Sequence, residues 1–426
     1  MLCSGADSSP AGGRAPSESV MAVGSEHESQ ESQPAQRDRG SNQSGLRAYN
    51  ERLVLSVVRR HGGLPRADIA RSTGLSAQTV SVIIRGLERD GLLVRGTPTR
   101  GRVGQPSVPM SLAADGAYSI GLKIGRRSAD LALVDFLGKV RMQLHEVYPF
   151  PEPERILAFA GGRIEDLLAV LPADGRDRVA GVGIATPFEL WSWAEAVGAP
   201  RDRMEAWRGV DLADSLRERI PYPVFSQNDA TAACGAELVF GRGADHSDFV
   251  YFFIGSFVGG GVVLNSAVYT GRTGNAGALG SMPVPSNGHA HQLIEEASIF
   301  VLEGMLRERG IDPSPLWLAP RDWSALGEPL QQWIGRAGKS LAHAIVASCS
   351  VIDFPTAIID GGFPADVRAR IVEATSKAIT RLDLQGIQPP QVYQGQVGAN
   401  ARVIGAASLP FFARYLLDRD VLFKDA

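Results

Sequence analysis

At 426 residues the chain is too long for one ordinary domain, and two or three are expected. The formal net charge of -3 excludes a uniformly basic nucleic-acid binder but leaves room for a local basic patch. No apolar run approaches the ~18 residues that span a bilayer, and the three cysteines (Cys3, Cys234, Cys349) are too dispersed for a disulfide framework or a CxxC metal knuckle. The opening stretch "MLCSGADSSPAGGRAPSES" lacks a basic segment backed by an apolar core, so no secretory signal is expected and the chain reads as cytoplasmic.

Residues 1–45 are rich in Ser, Gly, Ala, Gln and Glu and nearly free of large apolar side chains. Such a segment buries too little surface to offset its ordering entropy, so a disordered tail is predicted. Residues 46–112 then change character. Leu46, Tyr49, Leu53 and Val57 form a helical stripe. A second helix follows, with Pro65 suited to its first turn and Gly74 to its end. Ser76 is a good N-cap for a third helix, with Val80, Ile83, Ile84 and Leu87 on one face. Gln78, Ser81, Val82 and Arg85 lie on the opposite face, and Gly91 stops the helix. "LLVRG" and "SVPMSL" read as strands around the loop "TPTRGRVGQP". Three helices and a basic hairpin predict a winged helix-turn-helix, an all-α-plus-wing DNA-binding domain over 46–112. Its 11 arginines against 4 acids leave a net charge of +7, the electrostatic footprint of a DNA binder. Ser76, Gln78, Thr79, Ser81 and Arg85 are the candidates for the major groove, and Arg100 and Arg102 reach DNA from the wing. One such helix reads few base pairs, so a homodimer or homotetramer on a double-stranded operator is expected.

From residue 113 to 426 strands and helices alternate, an α/β signature. The pattern is duplicated. "YSIGLKIGRRSADLALVD" is strand, glycine turn, strand, and "FVYFFIGSFVGGGVVLNSAVYTG" repeats the plan. Two lobes, about 113–245 and 246–426, with a ligand between them are expected.

Four further motifs carry a resemblance: "SQNDATAACGAE", "GRTGNAGALGSMPV", "AIIDGGFP" and "VGANARVIGAASL". Together they resemble the ROK family of sugar kinases and transcriptional repressors, from about Leu46 to the C-terminus. The winged helix-turn-helix resembles the repressor branch. The resemblance implies an actin-like (ribonuclease-H-like) duplicated α/β fold, a carbohydrate-like effector and oligomers. It also implies that Asn228 and Asp229 match the family's Asn-Asp pair at the sugar, and that Asn275 reaches the same ligand.

The departures from the family pattern are equally informative. Where its kinases resemble Asp-Ile-Gly-Gly-Thr in the first phosphate turn, this chain has Lys123, Ile124, Gly125, Arg126 and Arg127. A cation replaces the metal-linked carboxylate, and bulk fills a turn that needs bare backbone, so no Mg-ATP chemistry and no cofactor are expected. The arginines can still bind an anion themselves. Ser281 stands where many members have a zinc-binding His, and no cysteines follow. His289 and His291 remain as an H-x-H pair, a weak basis for a metal site, and none is expected. Ala278 and Ile294 occupy the positions of the usual sugar-binding glutamates, with Glu295 adjacent. Asp229 is a ligand contact, an N-cap or both, and Trp191 and Trp193 either stack on a sugar or fill the core. The leading expectation is a DNA-binding transcriptional regulator, a repressor of carbohydrate-related genes, and not an enzyme. Two alternatives stand beside it: a sugar kinase with an appended DNA-binding domain, and a DNA-binding regulator without small-molecule response.

Overall fold

A computed structural model describes residues 42–98, 107–286, 289–318 and 322–417. The predicted tail, apart from 42–45, and most of the wing loop with Arg100 and Arg102 lie outside them.

Helix α1 (Asn42–His61) starts four residues before its apolar stripe becomes readable. Strand β1 (Leu64–Pro65), helix α2 (Arg66–Thr73) and helix α3 (Ala77–Arg89) follow. Pro65 precedes the second helix, as its N-cap, and Gly74 ends it at φ 71, a left-handed conformation that costs glycine little. Strands β2 (Leu93–Arg95) and β3 (Pro109–Leu112) pair antiparallel, and β1 adds to the other edge of β3. That third strand is too short to show a period of two.

The α/β part holds two five-stranded sheets of one plan. In the first, β4 (Tyr118–Ile124), β5 (Ser128–Asp135) and β6 (Val140–Val147) run antiparallel, while β7 (Val179–Thr186) and β8 (Val224–Asn228) join β4 in parallel. In the second, β9 (Phe249–Ile254), β10 (Val258–Leu264) and β11 (Ala267–Tyr269) are antiparallel. A short hairpin, β12 (Pro283–Ser286) with β13 (His289–Gln292), stands apart. β14 (Thr356–Gly361) and β15 (Gln391–Gln394) then extend the second sheet in parallel from β9. Helix α4 (Pro153–Leu168) covers the first sheet. The second is backed by α6 (Ile299–Glu308), α7 (Gly327–Val351) and α8 (Ala365–Ile379).

Two helices lie between the sheets. α5 (Asp229–Phe240) packs on β10, and α9 (Ala401–Arg414) crosses back from the second half of the chain onto β4 and β7. Small residues permit this. A Cβ on Gly183 would stand 1.8 Å from the Ala406 carbonyl oxygen, and one on Gly405 2.0 Å from that of Ala232. Backbone meets backbone at these points, which only glycine allows.

The winged helix is anchored on the far ends of the same two helices. Val54, Leu55 and Val58 of α1 share a core with Phe136 and with Phe411 of α9. The Arg52 guanidinium donates to the carbonyls of Phe412 (2.6 Å) and Leu416 (2.8 Å). Arg59 donates to the Phe136 carbonyl (3.3 Å) and lies 4.2 Å over the ring of Phe240, the last residue of α5. Among the described residues no helix is long and apolar enough to cross a membrane.

Candidate functional site

In α3 the predicted faces are present. Val80, Ile83, Ile84 and Leu87 are buried, while Gln78 and Arg85 are exposed and Ser81 lies half-buried between them. Ser76 accepts from the Thr79 amide at 3.1 Å, and their hydroxyls meet at 2.8 Å, so these two residues build the cap. The Ser81 hydroxyl donates back to the Ala77 carbonyl (2.8 Å), and Arg85 Nε to the Ser81 carbonyl (3.2 Å). Glu88 pairs with Arg66 of α2 and Arg95 of β2, which ties the wing strand to the end of α3.

A cavity of about 370 Å³ opens where β8, α5, the β9–β10 turn and the glycine-rich loop converge. Asn228, Asp229 and Asn275 all line it. Asp229 is not the cap of α5. Asn228 is the cap of α5, its Oδ1 accepting from the amides of Ala230 (3.1 Å) and Thr231 (3.2 Å). Asp229 is the first helical residue, and its carboxylate is turned to Arg402 of α9, Nη1 to Oδ2 at 3.1 Å. The Arg402 guanidinium also lies 5.0 Å from the centre of the Phe253 ring. The Asp229 carboxylate is thus held in an ion pair at the start of α5. The exposed Asn275 is held by a loop with left-handed glycines. Gly277, at φ 80, passes so close to β10 that a Cβ would sit 2.7 Å from Gly261 Cα.

The first turn is filled by its own ion pairs. Lys123 is buried, with Nζ 2.9 Å from Asp130 Oδ2 on the paired strand. Burial, then the charge of Arg402, depresses its pKa. Burial works against the Asp130 charge, but Lys123 and a hydrogen bond from His145 hold that carboxyl down at about 2. Arg126 Nη1 meets Glu303 of α6 at 2.7 Å, Arg127 Nη2 meets the same carboxylate at 3.2 Å, and Arg307 is its third partner. The two turn arginines also lie over Phe300 and Trp317. Through Glu303 these two arginines join the first lobe to the second. Lys123 stands in the turn where a Mg-nucleotide would need a carboxylate, and side chains occupy the space beside Gly125. The residues present do not fit that group.

Trp193 lines the cavity and packs edge-on to Phe257 at 4.9 Å, while Trp191 packs on the first-lobe core under Arg208. Ala278, Ser281 and Ile294 line the cavity too. Glu295 is engaged elsewhere, accepting from the Gln292 amide at 2.9 Å. His289 and His291 are on strand β13, not in a loop, and His291 faces Glu295 and Glu296 at 3.8 and 3.9 Å. Among the described residues no three His, Cys, Asp or Glu side chains are grouped to hold a metal. Sequence reading missed Arg402 and Glu303. Each is a lone charge in an otherwise apolar helical run, "VGANARVIGAAS" and "SIFVLEGML", and that isolation was the available signal.

Residues 119–292 match the ROK family, and residues 48–102 the MarR family. The xylose repressor of Bacillus spizizenii is 26% identical over 248 residues, which are 58% of this chain and 64% of the repressor, just short of two thirds. Among the solved structures with this fold are a regulator and a kinase. One is a ROK family transcriptional regulator, a homologue of the Escherichia coli MLC protein, 21% identical over 87% of this chain and 97% of that one, with a TM-score of 0.62. The other is a ROK family glucokinase from Streptomyces griseus in complex with glucose and AMPPNP, 23% identical over 69% of this chain and 99% of the kinase, with a TM-score of 0.53. This chain therefore carries a ROK family domain, of the actin-like sugar-kinase fold, behind a MarR-type winged helix-turn-helix.

Proposed function

We propose that this protein is a sugar-responsive transcriptional repressor without kinase activity, acting in the cytoplasm as a homodimer or homotetramer on a double-stranded operator. The observation that carries the reading is the pair of helices α5 and α9. Both begin at the cavity, with Asp229 and Arg402, and both end against the winged helix, at Phe240 under Arg59 and at Phe412 beside Arg52. An effector that competes for Asp229 changes the pairing at one end of two packed helices whose other ends hold α1. An effector regulates only through differential affinity for two states, and this pairing gives it something to change.

In this reading Asn228, Asp229 and Asn275 contact the effector. Gln78, Ser81 and Arg85 read the major groove from a start fixed by Ser76 and Thr79, and Arg100 and Arg102 contact DNA from the wing. The absence of kinase activity is supported by the filled first turn and by Asp229 being held by Arg402. General-base help is worth only about 10²–10⁴-fold, so a base without phosphate positioning does not make a kinase.

The test is fluorescence anisotropy of the full chain on operator DNA selected from a random pool, with xylose, glucose and N-acetylglucosamine added in turn. Arg85→Ala is expected to narrow the margin between operator and random DNA by about 1–3 kcal/mol. Arg52→Ala is expected to retain sugar binding by calorimetry and lose the sugar's effect on DNA. Absence of DNA binding, or sugar-dependent ADP release from Mg-ATP that Asp229→Asn abolishes, refutes the proposal.

A further inference from the structure

The cavity wall mixes polar and apolar groups. Asn228, Asp229, Asn275 and Arg402 give it hydrogen-bonding and charged groups, and Arg126, Glu189 and several serines add to them. Aromatic and aliphatic side chains make up the remainder. Ile294 and Ala278 contribute methyl and methylene surface, Trp193 reaches in from the first lobe, and Phe257 meets its ring edge-on at 4.9 Å. The aromatic surface continues outward, with Phe300 5.8 Å from Phe257. Phe188, on the cavity wall, keeps 49% of its surface exposed. Its neighbour Glu189 holds φ 51, a left-handed conformation that non-glycine residues rarely adopt and that is found where the surroundings impose it. An apolar group attached to a sugar would bury this aromatic surface, which a monosaccharide alone would leave in water. The volume, about 370 Å³, lies in the range of sites for drug-sized ligands, roughly 300–1,000 Å³.

We infer that the effector is a glycoside with an aromatic aglycone, its sugar at Asn228, Asp229 and Asn275 and its aglycone packed among Trp193, Phe257 and Ile294. This rests on the carbohydrate reading above and narrows it. The aromatic edges and faces suit a planar ring in offset or edge-to-face contact. Ala278 and Ile294 act as specificity residues, since an acid at either position would meet the aglycone with a charge.

The experiment is calorimetric titration of the full chain with free glucose, galactose and xylose, with their α- and β-4-nitrophenyl glycosides, and with 4-nitrophenol alone. At least one glycoside is expected to bind about tenfold or more tighter than its free sugar, the magnitude of one good aromatic contact. Trp193→Ala is expected to remove most of that margin, read as the ratio of glycoside to free-sugar affinity. The double variant Ala278→Glu, Ile294→Glu is expected to reverse the preference. Its circular dichroism spectrum and its DNA binding report whether it has folded. A free sugar that binds as tightly as every one of its glycosides overturns the inference and leaves the carbohydrate reading intact. Nitrophenol alone binding as tightly as the glycosides overturns both. Binding of none of the compounds, with DNA binding preserved, also overturns the inference and leaves a DNA-binding protein without a sugar.

Discussion

The two glycine turns of the duplicated fold occupy equivalent places and do different work. After β4 the chain reads Ile124-Gly125-Arg126-Arg127-Ser128, and after β9 it reads Ile254-Gly255-Ser256-Phe257-Val258. Both close with a short backbone bond, Gly125 N to the Ser128 carbonyl and Gly255 N to the Phe257 carbonyl. Helix α6 touches both. Its first amides, Ile299 and Phe300, donate to the carbonyls of Gly255 and Ser256, while its Glu303 takes Arg126 and Arg127 from the other turn. The second turn is therefore held by backbone and leaves its side chains to the cavity. The first turn is held by side-chain charge. One ancestral plan thus yields a ligand wall in one lobe and a fastening in the other.

The largest effect is expected at the fastening. The side chains of Arg126 and Glu303 are only 6% and 3% exposed. Removing one member of a buried pair leaves the other charged and desolvated, at a cost of about 3–5 kcal/mol. Glu303→Leu is expected to lose that much stability in urea denaturation. Replacing the pair whole, as Arg126→Met, Arg127→Phe and Glu303→Leu together, is expected to recover most of the loss, because a well-packed apolar replacement of a buried pair is often neutral. A loss below about 1 kcal/mol for the single variant would put the pair in the class of screened surface bridges and break the comparison.

How much of this was legible in the sequence differs between the two regions as well. The repeat of strand, turn and strand is written in local alternation, and both turns were found from it. The α3 faces and the Ser76 cap were equally local signals. The partners of Arg126 and Arg127 were not legible, because Glu303 lies 177 and 176 residues away and nothing in pattern or propensity links them. Arg402 and Asp229 are separated by 173 residues, for the same reason. The assignment of the α5 cap failed differently. Asn228 and Asp229 are both good capping residues one position apart, and element boundaries are uncertain by more than that. The pairing of α9 with the first sheet required tertiary contact at Gly121 and Gly183, which sequence shows only as unremarkable glycines in strands.

A smaller effect is expected at Lys123, whose counterpart in the second strand is Phe253. Asp130 has a folded pKa of about 2, below the ordinary ~3.9 of an unfolded aspartate. A depressed carboxylate contributes stability that is present above about pH 4 and is lost as pH falls toward 2. Lys123→Met removes the cation and raises the folded pKa of Asp130, so the variant loses that contribution at neutral pH. In parallel denaturation series the gap between wild type and variant is expected to narrow by about 1 kcal/mol from pH 6 to pH 3. A gap that stays constant or widens on acidification would mean that His145, not Lys123, holds the carboxyl down.

The smallest effect belongs to the cap beside the cavity, and it separates scaffold from ligand contact. Asn228→Ala is expected to cost about 1 kcal/mol, the usual value for a lost N-cap, because two amides at the start of α5 lose their acceptor. Asn228→Asp keeps an acceptor oxygen in place and adds a charge that the helix start favours, so stability is expected to return to within a few tenths of a kcal/mol of wild type. Asp229→Asn leaves the cap untouched and weakens only the contact to Arg402. If Asn228 serves solely as a cap, effector affinity measured by calorimetry follows stability across the two Asn228 variants. If its amide also reaches the effector, Asn228→Asp regains stability without regaining affinity, because the amide donors are gone while the acceptor remains. The second outcome is the one expected. It would place Asn228 in both roles, and it distinguishes the first lobe's contribution to the cavity from the backbone-held wall that the second lobe supplies.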